Sequence, residues 1–176
     1  MKLIIKRGEF LPALQMVNGV IERRQTLPIL SNLLLQVGPK EMSLTGTDME
    51  VELVANIRRA FKSTGEVTLP GRKLLDICRA LPEDADLSID TEGDRAVLTS
   101  GKSRFTLATL PAQEFPLIEL TENIAEFAIP QGTLKGLLDR TAFAMAHQDV
   151  RYYLNGLLLE LQADQVRAVA TESARA

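Results

Sequence analysis

The side chains that could carry out chemistry are few. His147 is the only histidine and Cys78 the only cysteine. One imidazole cannot build a histidine metal cluster, and a Cys78–His147 pair is the one thiol–base combination available. Neither residue sits in a recognisable nucleophile motif, and Cys78 lies among Leu74, Leu75, Ile77 and Leu81. That setting predicts a buried structural thiol, since a reactive one needs an open, electropositive neighbourhood. Carboxylates gather at Asp48, Glu50 and Glu52, and again at Glu83, Asp84 and Asp86. A small metal-dependent hydrolase or nuclease would use the first set. The plainer reading of that set is a turn followed by alternate, solvent-facing strand positions; the second reads as an acidic loop. No G-x-x-x-x-G-K-[ST] phosphate loop and no G-x-G-x-x-G fingerprint occurs. The expectation is a protein with no catalytic residue, metal or cofactor.

The basic residues are more informative. Lys6, Arg7, Arg23, Arg24, Arg72, Lys73, Arg79, Lys135, Arg140 and Arg151 lie in or beside expected helices, where the acids are Glu9, Glu22, Asp76 and Asp139. The helical layer therefore leans positive, although the whole chain carries a net charge of −3. For any single helix an ordinary solvated face explains this. The same lean on three helices points to a surface that faces phosphate backbone. It would not read bases by stacking, because aromatic residues make up only 5% of the chain. Tyr152 and Tyr153, next to Gln148 and Arg151 at an expected bend, are the exception: core aromatics or groups that approach nucleic acid.

These residues are positioned by an internal repeat. The strand-like runs Lys2-Leu-Ile-Ile-Lys6, Glu66-Val-Thr-Leu-Pro70 and Glu126-Phe-Ala-Ile-Pro130 each lead into an amphipathic segment. Phe10, Leu14, Val17 and Ile21 share one helical face; so do Leu74, Ile77, Cys78 and Leu81, and Leu134, Leu137, Leu138, Thr141 and Met145. Pro70 and Pro130 precede helices, where a missing N–H costs least, and Pro82 ends the second. The period then becomes strand-like over 32–37, 42–45 and 50–57; over 86–89, 95–99 and 104–110; and over 157–161 and 166–171. Gly38-Pro39, residues 46–48, residues 92–94 and Ser100-Gly101 supply the turns. The unit is β-α-β-β-β, and the fold class is α+β with helices on one face of antiparallel sheets. Two complete units fill about residues 1–112 of a first domain spanning 1–122, with 111–123 as a linker. A third begins in 123–176 and is expected to stop before its last strand.

Composition agrees with a globular chain: 45% hydrophobic and 24% charged residues over 176 positions. The start of the chain has no apolar signal-peptide core, and no 18-residue apolar run exists. With one cysteine no internal disulfide can form, which suits a reducing, cytoplasmic compartment.

Several stretches resemble the bacterial DNA polymerase III beta subunit, the replicative sliding-clamp family. They are Thr26-Leu-Pro-Ile-Leu-Ser-Asn-Leu-Leu-Leu35, Leu44-Thr-Gly-Thr-Asp48, Pro70-Gly-Arg-Lys-Leu74, Ser103-Arg-Phe-Thr-Leu107 and, most specific, Ala144-Met-Ala-His-Gln-Asp-Val-Arg-Tyr-Tyr-Leu-Asn-Gly156. The resemblance implies a DNA-clamp fold of repeated β-α-β-β-β units, two to a domain. It implies a homodimeric ring with helices lining a hole around double-stranded DNA. It also implies a non-enzymatic processivity factor whose partners are the DNA polymerase III core and the clamp loader. By position, the DNA-proximal residues are Arg24, Gln148, Tyr152 and Tyr153, with Arg72 and Lys73 joining them by helix position. Lys102, Arg104, Phe105 and Leu107 correspond to the dimer interface. Leu154, Thr171 and Arg175 correspond to part of a pocket that captures partner motifs.

The family pattern Asp-Gly-His-Arg-Leu after Ala-Thr is replaced here by Glu172-Ser173-Ala174-Arg175-Ala176. This alters the expected pocket. A chain holding only part of a second domain would be a fragment, or a clamp-like interaction module that forms no ring. Its third repeat would self-associate through an open sheet edge or be poorly ordered.

Overall fold

The computed structural model describes residues 1–21, 27–118 and 127–172. The chain divides into two compact units, Met1–Leu120 and Thr121–Ala176.

In the first unit the order is β1 (Lys2–Lys6), α1 (Arg7–Val17), β2 (Asn32–Val37), β3 (Glu41–Thr47), β4 (Glu52–Arg58), β5 (Gly65–Pro70), α2 (Gly71–Ala80), β6 (Asp86–Glu92), β7 (Arg95–Ser100) and β8 (Ser103–Ala108). This is β-α-β-β-β written twice. The leading strands are exchanged: one sheet runs β1-β6-β7-β8 and the other β4-β3-β2-β5. Lys2 pairs with Asp90 and Lys6 with Asp86 across β1–β6, while Asn32 pairs with Pro70 and Val37 with Gly65 across β2–β5. Each repeat therefore completes the other's sheet, and neither can close its hydrogen-bond ladder alone.

One apolar core unites both sheets and both helices. Leu3 and Ile5 of β1, Phe10, Leu14 and Val17 of α1, Leu74 and Cys78 of α2, and Leu87 and Ile89 of β6 all lie in it. Strand β2 is buried on both faces, which is why Leu33, Leu34 and Leu35 run without alternation. Leu33 and Leu35 enter the main core. Leu34 joins Ile29, Leu30 and Phe115 in a smaller cluster. Asn32 and Thr68 are the buried polar link: the Asn32 Nδ2 donates to Thr68 Oγ1 at 3.0 Å. The same hydroxyl accepts from the Leu110 N–H at 2.9 Å and donates to its carbonyl at 2.7 Å.

Two corrections concern helices. The apolar stripe predicts α1 to run to Ile21, but the helix ends at Val17, and Ile21 is buried in the following turn. That turn closes through short bonds, Gly19 N–H to Met16 O and Ile21 N–H to Asn18 O. In the second unit α3 (Gln131–Thr141) likewise stops before Met145, giving way to a 3-10 turn over Ala142–Ala144. A third correction concerns the strand expected at 126–130. Residues 127–130 form none. In the first unit a leading strand pairs with the other repeat's sheet, and the described part of the second unit contains one repeat. Its sheet is the hairpin β9 (Leu158–Leu161) and β10 (Val166–Val169).

Candidate nucleic-acid interface

The starts of α1 and α2 are where the first unit concentrates cations, and the structure shows what holds them. Each helix begins beside the end of the other. Arg7 Nε donates to the Cys78 carbonyl, in the last turn of α2, at 3.0 Å. Arg72, in the first turn of α2, donates to the Ile21 carbonyl beyond α1. Arg7 against a carbonyl in the last turn of α2 is the favourable placement for that helix's dipole, whereas Arg72 bonds the turn beyond α1. These two arginines therefore tie the helix pair together. Lys6 is engaged by Asp86 at 3.3 Å and, in the second unit, Lys135 by Asp139. Both pairs are exposed and contribute little to stability. The positive lean of the helical layer is therefore partly spent on bonds within the protein. Lys73 is exposed and has no carboxylate within bonding distance among the described residues, and Arg72 is exposed with one donor committed. Arg24, expected to be DNA-proximal, lies outside the described residues, as does Arg175 of the partner pocket.

In the second unit, residues 146–156 form a braced turn. The Ala146 N–H donates to the Leu154 carbonyl at 3.0 Å and closes it. Gln148 has φ of 59°, the left-handed region that few non-glycine residues adopt. Asp149 accepts from the Arg151 backbone N–H at 2.9 Å and from Arg151 Nε and Nη2 at 3.0 and 2.7 Å. The Arg151 guanidinium and amide hold the Asp149 carboxyl down at about 2, and Asp149 raises Arg151 in return. Asn155 donates to the Asp149 carbonyl and accepts from its N–H, both at 3.0 Å. The result is a fixed platform for Gln148, Tyr152 and Tyr153, all exposed. Tyr152 is 82% and Tyr153 67% exposed, with ring centroids 6.0 Å apart and edge to face. Of the two sequence readings of these tyrosines, the structure rejects core aromatics. The sequence reading counts Arg151 among the cations of the helical layer and misses the parts played by Asp149 and Asn155. The Asp-x-Arg spacing beside a bend was the available signal for an Asx-type brace.

Of the residues at the expected dimer interface, Arg104, Phe105 and Leu107 lie on β8, the edge strand of its sheet, and Lys102 lies in the turn before it. Lys102 and Arg104 are exposed. Phe105 and Leu107 pair with Leu98 and Ala96, and their side chains turn to the core. Leu107 is 7% exposed, so it supports the edge from beneath, while Phe105 is partly buried against the core. At the expected partner pocket, Leu154 is half-buried and Thr171 exposed after β10.

The acidic sets do not assemble a metal centre. Asp48 Oδ1 accepts from the Glu50 and Val51 N–H groups at 2.9 and 2.7 Å, and these bonds lower its pKa. It organises the turn in which Met49 takes φ of 76°. Glu52 accepts from the Ile118 N–H at 3.0 Å. No cluster of three or more His, Cys, Asp or Glu suited to a metal occurs among the described residues. Burial pushes the Cys78 thiol up to about 12, far from a reactive thiolate, with Arg7 opposing only in part. Among the described residues, no helix is long and apolar enough to cross a membrane.

Paired β-α-β-β-β repeats with exchanged leading strands, followed by the start of a further repeat, define an α+β protein of the DNA-clamp fold. Models of the DNA polymerase III beta subunit match its N-terminal domain to residues 1–119 and its central domain to residues 128–176. The chain belongs to that family. It is 49% identical to the beta sliding clamp of Salmonella typhimurium over 99% of its length and 48% of the relative's. It is 51% identical to that of Pseudomonas aeruginosa with the same coverage. Among solved structures, the DNA polymerase III subunit beta of Pseudomonas aeruginosa matches with a TM-score of 0.94 at 50% identity, over 98% of this chain and 47% of that one. The Caulobacter crescentus pol III beta matches with 0.92 at 38%, over 98% and 48%. The chain thus spans about half the length of the curated relatives it matches.

Proposed function

We propose that this chain works as a sliding-clamp subunit, or a segment of one, in the cytoplasm. It would help encircle double-stranded DNA and tether the DNA polymerase III core, without catalytic residues of its own. The observation that carries this is the braced 146–156 turn, which presents Gln148, Tyr152 and Tyr153 on a fixed backbone. With Arg24, Arg72 and Lys73 these form the DNA-facing set. Loose phosphate contact suits a protein that must slide, because counterion exchange carries no sequence preference. The β8 edge, with Lys102, Arg104, Phe105 and Leu107, is the homodimer face. Leu154, Thr171 and Arg175 contribute to capture of polymerase and clamp-loader motifs. Residues 1–122 and 123–176 are the two domain segments. Enclosure holds the polymerase near its substrate by raising effective concentration, as any linkage does.

The test is topological. The protein is loaded with a clamp loader onto nicked circular DNA, and retention in high salt is followed by gel filtration. Retention on the circle with loss after linearisation is expected. Equal release from both forms overturns encirclement and leaves the reading of a clamp-like interaction module.

A further inference from the structure

The two leading strands create two seams in the first unit, each where a strand passes the segment that follows the other sheet's last strand. The seam at β5 is lined by Glu66, Asp94 and Gln113, among others, and Gln113 Nε2 donates to Glu66 Oε1 at 2.9 Å across it. The seam at β1 has the opposite character. It is a groove of about 350 Å³ with walls from Lys2, Ile4, Arg59, Phe61, Lys62 and Ser63. That volume lies at the small end of the range for small-molecule sites, about 300–1,000 Å³.

The walls are fixed before anything binds. The Phe61 N–H donates to the Pro39 carbonyl at 3.2 Å. The Arg59 guanidinium lies 5.3 Å from the Phe61 ring centre and is held by Glu9 at 2.9 Å. The Lys2 N–H donates to Ser63 Oγ at 3.2 Å and so points away from β6. Backbone alternation in an antiparallel edge strand puts the Ile4 N–H on that same open side. The Ile4 side chain is 54% exposed. Lys2 and Lys62 are exposed, and neither has a carboxylate within salt-bridge distance among the described residues. The groove therefore combines an apolar wall, two uncommitted ammonium groups and an outward backbone donor. The same open edge turns the Ile4 carbonyl outward, so the backbone offers a donor beside an acceptor, while both unused charged groups are cations.

We propose that this groove binds a small free carboxylic acid with an apolar body. The body lies against Phe61 and Ile4, and the carboxylate takes Lys62, Lys2 and the Ile4 N–H. A carboxylate fits because its charge matches the two ammonium groups, and charge-assisted bonds to them are stronger than neutral ones. A cation is repelled, and a neutral alcohol leaves the ammonium groups unmatched.

The probe is octanoate, titrated into the isotope-labelled full chain and followed by amide shifts and calorimetry, with octylammonium and octanol as controls. Saturable octanoate binding with shifts at Lys2, Ile4, Phe61 and Ser63 is expected, while octylammonium produces none and octanol binds more weakly. Lys62 is exposed, so Lys62→Glu leaves folding intact and weakens octanoate by about fivefold or more. Phe61→Ala separately removes the apolar wall and also weakens binding. The proposal is overturned if octanoate does not saturate, if octanol binds as tightly, if shifts gather at Glu66 and Gln113, or if Lys62→Glu binds unchanged. DNA retention plays no part in these readouts.

Discussion

Gly71 and Ile21 touch so closely that a Cβ on Gly71 would lie 2.4 Å from Ile21 Cδ1 and 3.1 Å from Asn18 Oδ1. The first residue of α2 is therefore pressed into the turn that ends α1. Beside this contact Arg72 reaches the Ile21 carbonyl, and at the other end of the helix pair Arg7 reaches Cys78. Close approach, more than backbone freedom, explains a glycine at this point.

Gly71→Ala is expected to destabilise the protein by about 1–3 kcal/mol, the usual cost of overpacking a fitted contact. Ile21→Val removes the clashing methyl and alone costs about 0.5–1.5 kcal/mol. The double variant should cost less than the sum of the two, because the sites share one space. Urea unfolding of all four proteins checks this; strict additivity would show that the contact is not the cause.

Thr68 ties β2, β5 and the chain after β8 through one hydroxyl. Thr68→Val keeps the shape and removes every one of those bonds. The buried Asn32 amide is then left without a partner, and one buried unsatisfied group costs about 1–3 kcal/mol, while the Leu110 N–H lies at the exposed margin. A loss of at least that size is expected in denaturant melts. Thr68→Ser, which keeps the hydroxyl, should recover most of it.

The architecture was legible in the sequence wherever the signal is local. The change from helical to alternating period after each helix reflects which side chains must face one core, although the apolar stripe overran the end of α1, since Ile21 is buried in the turn beyond it. Pro70 and Gly71 mark a helix start in the same local way. Strand exchange was not legible, since pairing Lys2 with Asp90 and Asn32 with Pro70 depends on partners far along the chain. The same nonlocality misled the reading of 127–130, a strand-like run that forms no ladder among the described residues. Cations were countable, but their commitments to Cys78, Ile21 and Asp86 lie across element boundaries. A single residue's type could not show that Arg7 holds a helix end while Lys73 stays open to solvent.

Asp149 gives the braced turn a defined pH limit. Its carboxyl is held at about 2, below the usual carboxylate value, by Arg151. A depressed carboxyl stabilises the folded arrangement above its unfolded pKa, and that contribution is lost as pH falls through the folded value. The brace should be complete at pH 5 and above, on the order of one unit above the ordinary aspartate pKa. It should open as pH falls towards about 2. Carboxyl-detected NMR of Asp149, with the Arg151 Nε–H as a second reporter, measures this. A midpoint at the ordinary aspartate value would show that Arg151 does not engage Asp149 in solution. Asp149→Asn should abolish the titration and broaden the signals of Tyr152 and Tyr153.

Arg72 and Lys73 are neighbours on α2, yet their substitutions should separate two functions. Lys73 has no carboxylate partner among the described residues, so Lys73→Gln should leave unfolding unchanged. If Lys73 faces phosphate, the salt slope of duplex binding falls by about 0.9, the value of one neutralised phosphate. Arg72 also donates to the Ile21 carbonyl. Arg72→Gln should therefore shift the salt slope and also lower stability by about 0.5–1.5 kcal/mol, the worth of one intramolecular hydrogen bond. Arg72→Lys keeps the charge but replaces the guanidinium's planar fork, so it should retain the salt slope and still lower stability. Binding titrations at several salt concentrations, with urea melts of the same variants, read both quantities. If neither Lys73→Gln nor Arg72→Gln changes the slope, the first turn of α2 does not face DNA, and Arg72 serves only to join the two helices.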